Sequence, residues 1–115
     1  MKVFAKDIHF RCAVGAAAEI AALCPNGDIK RLGEVFEGNY EHKIETLGKF
    51  CMILNAWYIK FEQSEGRTAD ALTNDDIMLM TTEEFEALTS EALAVYKHDA
   101  SPTVKAKPKN AKAGA

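Results

Sequence analysis

The chain has 115 residues, 48% of them hydrophobic and 27% charged, with a formal charge of −3. Such a length holds one domain with its own core, and the balance excludes a disordered or collagen-like chain. Net acidity excludes general nucleic-acid binding, and no run of about 18 apolar residues marks a membrane span.

The charge is unevenly placed. Residues 1–99 hold all 17 acids and ten of the 14 basic residues, a net −7, while Lys105, Lys107, Lys109 and Lys112 leave +4 beyond them. The three cysteines, Cys12, Cys24 and Cys51, have no regular spacing and sit among apolar neighbours. Reduced cysteine in that setting behaves as a small core hydrophobe, which points to the cytoplasm. Lys6, Asp7, His9 and Arg11 interrupt any signal-peptide apolar region near the start.

Ile8, Phe10, Cys12 and Val14 alternate with His9, Arg11 and Ala13. Alternation predicts a half-buried strand over Ile8–Val14. Its candidate partners are Val3–Ala5, Thr68–Leu72 or another copy of the chain. The alanine-rich run Ala16–Cys24 predicts a helix, stopped by Pro25-Asn26-Gly27. Asp28 is placed to cap a second helix to about Glu37, with Ile29, Leu32, Val35 and Phe36 on one stripe. Gly38-Asn39 ends it. The longest element is expected over Glu41–Gln63. There Ile44, Leu47, Cys51, Leu54, Tyr58 and Phe61 recur at spacings of three and four, and Phe50, Ile53 and Trp57 widen the apolar face. A polar loop, Ser64–Leu72, follows.

Two capping boxes come next. Thr73-Asn74-Asp75-Asp76 starts a short helix through Met80, with Ile77, Met78 and Met80 inward. Thr81-Thr82-Glu83-Glu84 starts another through about His98, with Phe85, Leu88, Ala92 and Val95 on one face. Residues 100–115 have too few apolar groups to offset ordering entropy and read as a flexible lysine-rich tail. The expected architecture is mainly α: about five helices around one long central helix, a short N-terminal strand, and a single domain over residues 1–99.

Chemistry-bearing patterns are weak. His9 and Cys12 form a His-x-x-Cys, but strand alternation puts them on opposite faces, and Cys24, Cys51, His42 and His98 add no zinc spacing. The cysteines lack the electropositive, open setting a nucleophile needs. Asp75-Asp76 and Glu83-Glu84 are helix starts, and no glycine-rich phosphate loop is present. No enzyme activity, metal or cofactor is therefore expected. Residues 16–37 outline a helix-turn-helix, which leaves a small acidic transcriptional regulator as an alternative, although Lys30 and Arg31 face Asp28, Glu34 and Glu37 in the second helix. Phe36, Tyr40, Phe50, Trp57, Tyr58, Phe61, Met78 and Met80 are many large apolar groups for a body of this size. Methionines and aromatics are enriched at adaptable interfaces. The open strand and the wide apolar helix together predict self-association.

The run from Val14 to Asp28, VGAAAEIAALCPNGD, resembles the opening of small tail assembly chaperones from prophages of Gram-positive hosts. The segments Leu72–Ile77 and Thr82–Leu88 resemble that family's two closing helices, and a charged low-complexity end is typical of it. The resemblance implies a non-enzymatic, mostly helical protein of phages with long non-contractile tails. It would bind the tape-measure protein and keep it soluble until tail-tube protein assembles around it. It also implies a longer form made by ribosomal frameshifting. A chaperone of this kind needs an apolar groove for an amphipathic helix. Phe50, Trp57, Met78 and Met80, from the long helix and the short helix after it, are the expected contributors.

Overall fold

The computed structural model describes residues 1–99; the expected tail, residues 100–115, lies outside the described residues. Strands β1 (Lys2–Val3) and β2 (Lys6–Asp7) form an antiparallel hairpin with Lys2 opposite Asp7 and Val3 opposite Lys6. Five helices follow: α1 (Val14–Leu23), α2 (Leu32–Val35), α3 (Tyr40–Ser64), α4 (Asn74–Leu79) and α5 (Thr82–Asp99). The fold is mainly helical, as the periodicities predict.

The expected strand over Ile8–Val14 is not a strand. Its alternation is real up to Cys12: Ile8, Phe10 and Cys12 are buried, while His9 and Arg11 are exposed. Yet the segment joins no sheet, because its backbone groups are satisfied by scattered partners. Ile8 N–H donates to the Met1 carbonyl (2.8 Å) and Arg11 N–H to the Leu54 carbonyl (3.1 Å). The Cys12 N–H donates to Asp99 Oδ2 (3.0 Å). Val14, expected inward, is 90% exposed, since α1 begins there and the side-chain period changes from two to 3.6.

Helix α1 turns Ala16 and Ile20 to the core. The expected helix from Asp28 to Glu37 is also corrected. Asp28 does cap, accepting from the Lys30 N–H at 3.0 Å, but Ile29–Arg31 is a 3-10 turn and α2 is a single turn ending at Val35. Gly33 inside so short a segment offsets what propensity the rest provides.

Helix α3 is the axis of the molecule, about 37 Å long at 1.5 Å per residue. Asn39 starts it by accepting from the His42 N–H at 2.8 Å. Phe50, Cys51, Leu54 and Asn55 are its innermost side chains, and α1 and α5 pack along it. Helix α4 lies across it at Gly48, where an added Cβ would stand 3.4 Å from Ile77 Cδ1. Both capping boxes form. Thr73 and Asp76 exchange hydrogen bonds at 3.0 and 3.2 Å, and Thr81 and Glu84 do so at 2.8 and 3.1 Å. Helix α5 buries Phe85, Leu88, Thr89 and Ala92.

Candidate protein-binding surface

The four residues expected to line a groove do not come together. Phe50 is fully buried. Its ring meets Phe36 edge-on (5.4 Å between centroids) and Tyr96 likewise (5.5 Å). It belongs to the core, because α5 and the chain after α2 close over the face that the α3 pattern leaves open. Trp57 is half-buried, and it closes α1 onto α3. An added Cβ on Gly15 would come within 2.2 Å of Trp57 Cη2. The indole N–H donates to Glu19 Oε2 at 2.7 Å, and Lys60 Nζ stands 4.0 Å from the ring centroid. Nine residues separate Trp57 from Gly48, about 13 Å along the helix, so it lies away from α4.

Helix α4 does carry exposed apolar groups, though not as expected. Only Ile77 points inward; Met78 is 60% and Leu79 73% exposed, and Met80 is partly buried. An open cleft of about 780 Å³ runs between α4 and the first turns of α3. Tyr40, Ile44, Met52 and Met78 supply its apolar lining, and Asn39, Glu41, His42, Glu45, Lys49 and Asn74 its polar lining. Tyr40 and Ile44 also border a second cleft of about 480 Å³ toward Leu47, Phe85 and Thr89. Beyond α4, Met80 lines a small cleft of about 100 Å³ with Met1, Val3, Phe4 and Ala87.

Phe4 sits exposed in the hairpin turn at φ +56°. That is a left-handed conformation a bulky side chain adopts at a cost of about 1–2 kcal/mol, and strained residues held by their surroundings concentrate at functional positions. The sequence holds no signal for it, since Val3-Phe4-Ala5-Lys6 lacks the Gly or Asn that marks such turns. Leu79 was also missed, although its place two residues beyond the buried Ile77 on a short helix puts it on the opposite face.

Charge at the clefts is mixed: Glu41, Glu45, Lys49 and His42 line the larger one, and Glu84 and Lys2 the smaller one. Residues 68–96 contain seven acids and no Lys, Arg or His. Asp76 is engaged: its Oδ2 accepts from Lys6 Nζ at 2.8 Å and from the Thr73 N–H at 3.0 Å. Those bonds, the lysine's first, hold its carboxyl below the usual range. Asp70 accepts from the Asp7 N–H at 2.8 Å. Asp75, Glu83, Glu84, Glu86 and Glu91 are exposed.

Elsewhere the chemistry is quiet. Burial pushes the Cys51 thiol up to about 12 and also raises Cys12 and Cys24, so the thiolate is suppressed at all three. His9 is exposed, opposite in facing to buried Cys12. Its Nε2 lies 3.1 Å from Asp7 Oδ2 and its ring tilts against Tyr58 at 5.1 Å. Glu62, in the same polar cleft of about 390 Å³, is held by Arg67 through two bonds of 3.0 and 2.9 Å. Among the described residues no three His, Cys, Asp or Glu side chains come together as a metal would require. No helix among them is long and apolar enough to cross a membrane. Comparison with protein-family models, with curated proteins and with solved structures finds no match in any of the three.

Proposed function

We propose that this chain is a helical binding module that serves as a phage tail assembly chaperone in the host cytoplasm. In this reading it binds the tape-measure protein and keeps it soluble until tail-tube protein assembles around it. One observation carries the binding role: exposed Tyr40 and Met78 line an open cleft together with Ile44 and Met52, and Leu79 is exposed next to Met78 in the chain, while Tyr40, Met78 and Leu79 take no part in the core. Contiguous exposed apolar groups rimmed by polar residues mark interaction surfaces. The client's identity rests on the resemblance of Val14–Asp28, Leu72–Ile77 and Thr82–Leu88 to the chaperone family. The regulator reading has less support, since α2 is one turn where a recognition helix needs several.

The test is co-expression with the long helical reading frame expected downstream. Co-purification together with a rise in the client's soluble fraction is the expected result. If the chain neither co-purifies with that protein nor raises its solubility, the chaperone reading fails.

A further inference from the structure

The chain contains one Asn-Gly step, Asn26-Gly27. It lies exposed in the connection between α1 and the Ile29–Arg31 turn. Asn26 stands there at φ +56°, ψ +22°, a left-handed conformation that asparagine tolerates better than most residues. Gly27 follows at φ +69°, with open space where a Cβ would be. Two backbone bonds close the turn, from Gly27 N–H to the Cys24 carbonyl and from Asp28 N–H to the Pro25 carbonyl, each 3.0 Å. Short exposed turns held in this way open locally at a small fraction of the cost of global unfolding. The other asparagines of residues 1–99 are placed differently. Asn39 caps α3 and precedes Tyr40, Asn55 is buried within α3, and Asn74 begins α4.

We propose that this turn is a site of intramolecular deamidation, at which Asn26 becomes aspartate or isoaspartate with water as the co-reactant. When the turn opens, the Gly27 nitrogen leaves the Cys24 carbonyl and loses its proton to solvent hydroxide. It attacks Asn26 Cγ: an N–Cγ bond forms, the Cγ–Nδ2 bond breaks, and Nδ2 departs as ammonia with a proton from water. The resulting cyclic imide then adds one water. Cleavage between the nitrogen and Cγ gives aspartate, and cleavage between the nitrogen and the Asn26 backbone carbonyl carbon gives isoaspartate. The sum is one water consumed and one ammonia released, with no change of oxidation state. Gly27 suits the step because no Cβ shields its nitrogen or restricts its rotation. Either product puts a negative charge close to Asp28, which accepts from the Lys30 N–H at 3.0 Å. Isoaspartate also adds a carbon to the main chain between buried Cys24 and Leu32, so the bonds of the turn lose their present register. The modification is independent of what the chain binds.

The test incubates the full chain, kept reduced, at neutral pH either folded or in urea, and then digests it after lysine and arginine. Asn26, Asn39, Asn55 and Asn74 each fall in a separate fragment, Asn26 in Cys12–Lys30. Mass spectrometry reads the exchange of an amide for a carboxyl, and chromatography resolves aspartate from isoaspartate. In the folded chain the Cys12–Lys30 fragment is expected to convert within about a hundredfold of its rate in urea, because local opening suffices. Both products should appear, and sooner in mildly alkaline than in mildly acidic buffer. Reaction through global unfolding alone would be at least about a thousandfold slower than in urea.

Protection beyond the hundredfold limit means that the turn shields the Gly27 nitrogen, and it overturns the proposal. Equal conversion of the Asn55 fragment in the folded chain overturns it too, since that places the reaction in an unfolded fraction and not in the turn. Aspartate without isoaspartate would indicate direct hydrolysis of the side chain and exclude attack by Gly27. Asn26→Gly keeps the left-handed turn and removes the reacting group. The acidic species that ion exchange resolves as the unaltered chain ages should be absent from this variant. Their persistence at the same level would assign them to another residue and count against the proposal.

Discussion

Asn55 carries more of the tertiary structure than its polarity announces. It is 2% exposed, in the middle of the most apolar helix. Its amide nitrogen donates to the His9 carbonyl at 3.0 Å and the Asp70 carbonyl at 3.4 Å, and its oxygen accepts from the Leu72 N–H at 2.9 Å. Three stretches far apart in sequence are tied at one side chain. Asn55→Leu strands those backbone groups away from water, at about 1–3 kcal/mol for each left unpaired. We expect a loss of about 2–4 kcal/mol in urea unfolding; a loss below about 1 kcal/mol means that these bonds are replaced by water. Asn55 was missed: the expected seam runs through Cys51, Leu54 and Tyr58 and leaves it out, although it lies four residues after Cys51 on the same face. Its partners carried no signal, because they are backbone groups of irregular segments. Asp76 yields a prediction in pH. Its folded carboxyl lies below the ordinary 3.8 because Lys6 and the Thr73 N–H bind the charged form. The unfolded state therefore binds more protons as pH falls, and the stability this gives is present above about 4 and lost through the lowered native value. Asp76→Asn keeps an acceptor for the cap and removes the charge, so its urea midpoint should be less steep in pH below about 4. An unchanged acid limb would show that Asp76 does not contribute to it.

Elements were legible where local chemistry decides them and misread where tertiary partners do. The long helix and both capping boxes are short-range, and all three form where the sequence predicts, but the buried face of α3 is turned toward Phe50 and Asn55, and only Cys51 and Leu54 of the expected seam are buried. The strand over 8–14 failed because alternation reports burial on one face and says nothing about a ladder. Its partners are a helix carbonyl, the Asp99 carboxylate and the chain start. The strand edge at 8–14 invoked for self-association is thereby absent among the described residues, and the other ground, the wide apolar face of α3, is in large part covered by α1 and α5. Two glycines set how closely elements approach, with opposite expected responses. Gly15→Ala drives a methyl into the Trp57 ring, whose Cη2 would be 2.2 Å away. Overpacking there should cost about 1–3 kcal/mol, seen as a lower urea midpoint with altered emission from the single tryptophan. Gly48→Ala meets Ile77 Cδ1 at 3.4 Å, an ordinary contact, and gains helix propensity of about 0.5–1 kcal/mol. It should be neutral or stabilising. A large loss at Gly48 would mean that α4 sits more tightly on α3 than described.

For the whole molecule the decisive quantity is charge. Seventeen acids face ten basic residues over 1–99, and the described Lys and Arg ion pairs, Lys6–Asp76, Arg31–Glu34 and Arg67–Glu62, engage only a few of those acids. Excess like charge opposes the compact state, whereas partly exposed pairs of this kind return at most about 1 kcal/mol each. Screening should therefore help folding more than it harms it. Raising sodium chloride from about 10 mM to about 150 mM shortens the screening length from about 30 Å to about 8 Å. The melting temperature should rise by about 2–5 °C, the response of a domain this size to a gain below about 1 kcal/mol. A melting temperature that falls as salt rises would place the ion pairs Lys6–Asp76, Arg31–Glu34 and Arg67–Glu62 above the repulsion among the unpaired acids.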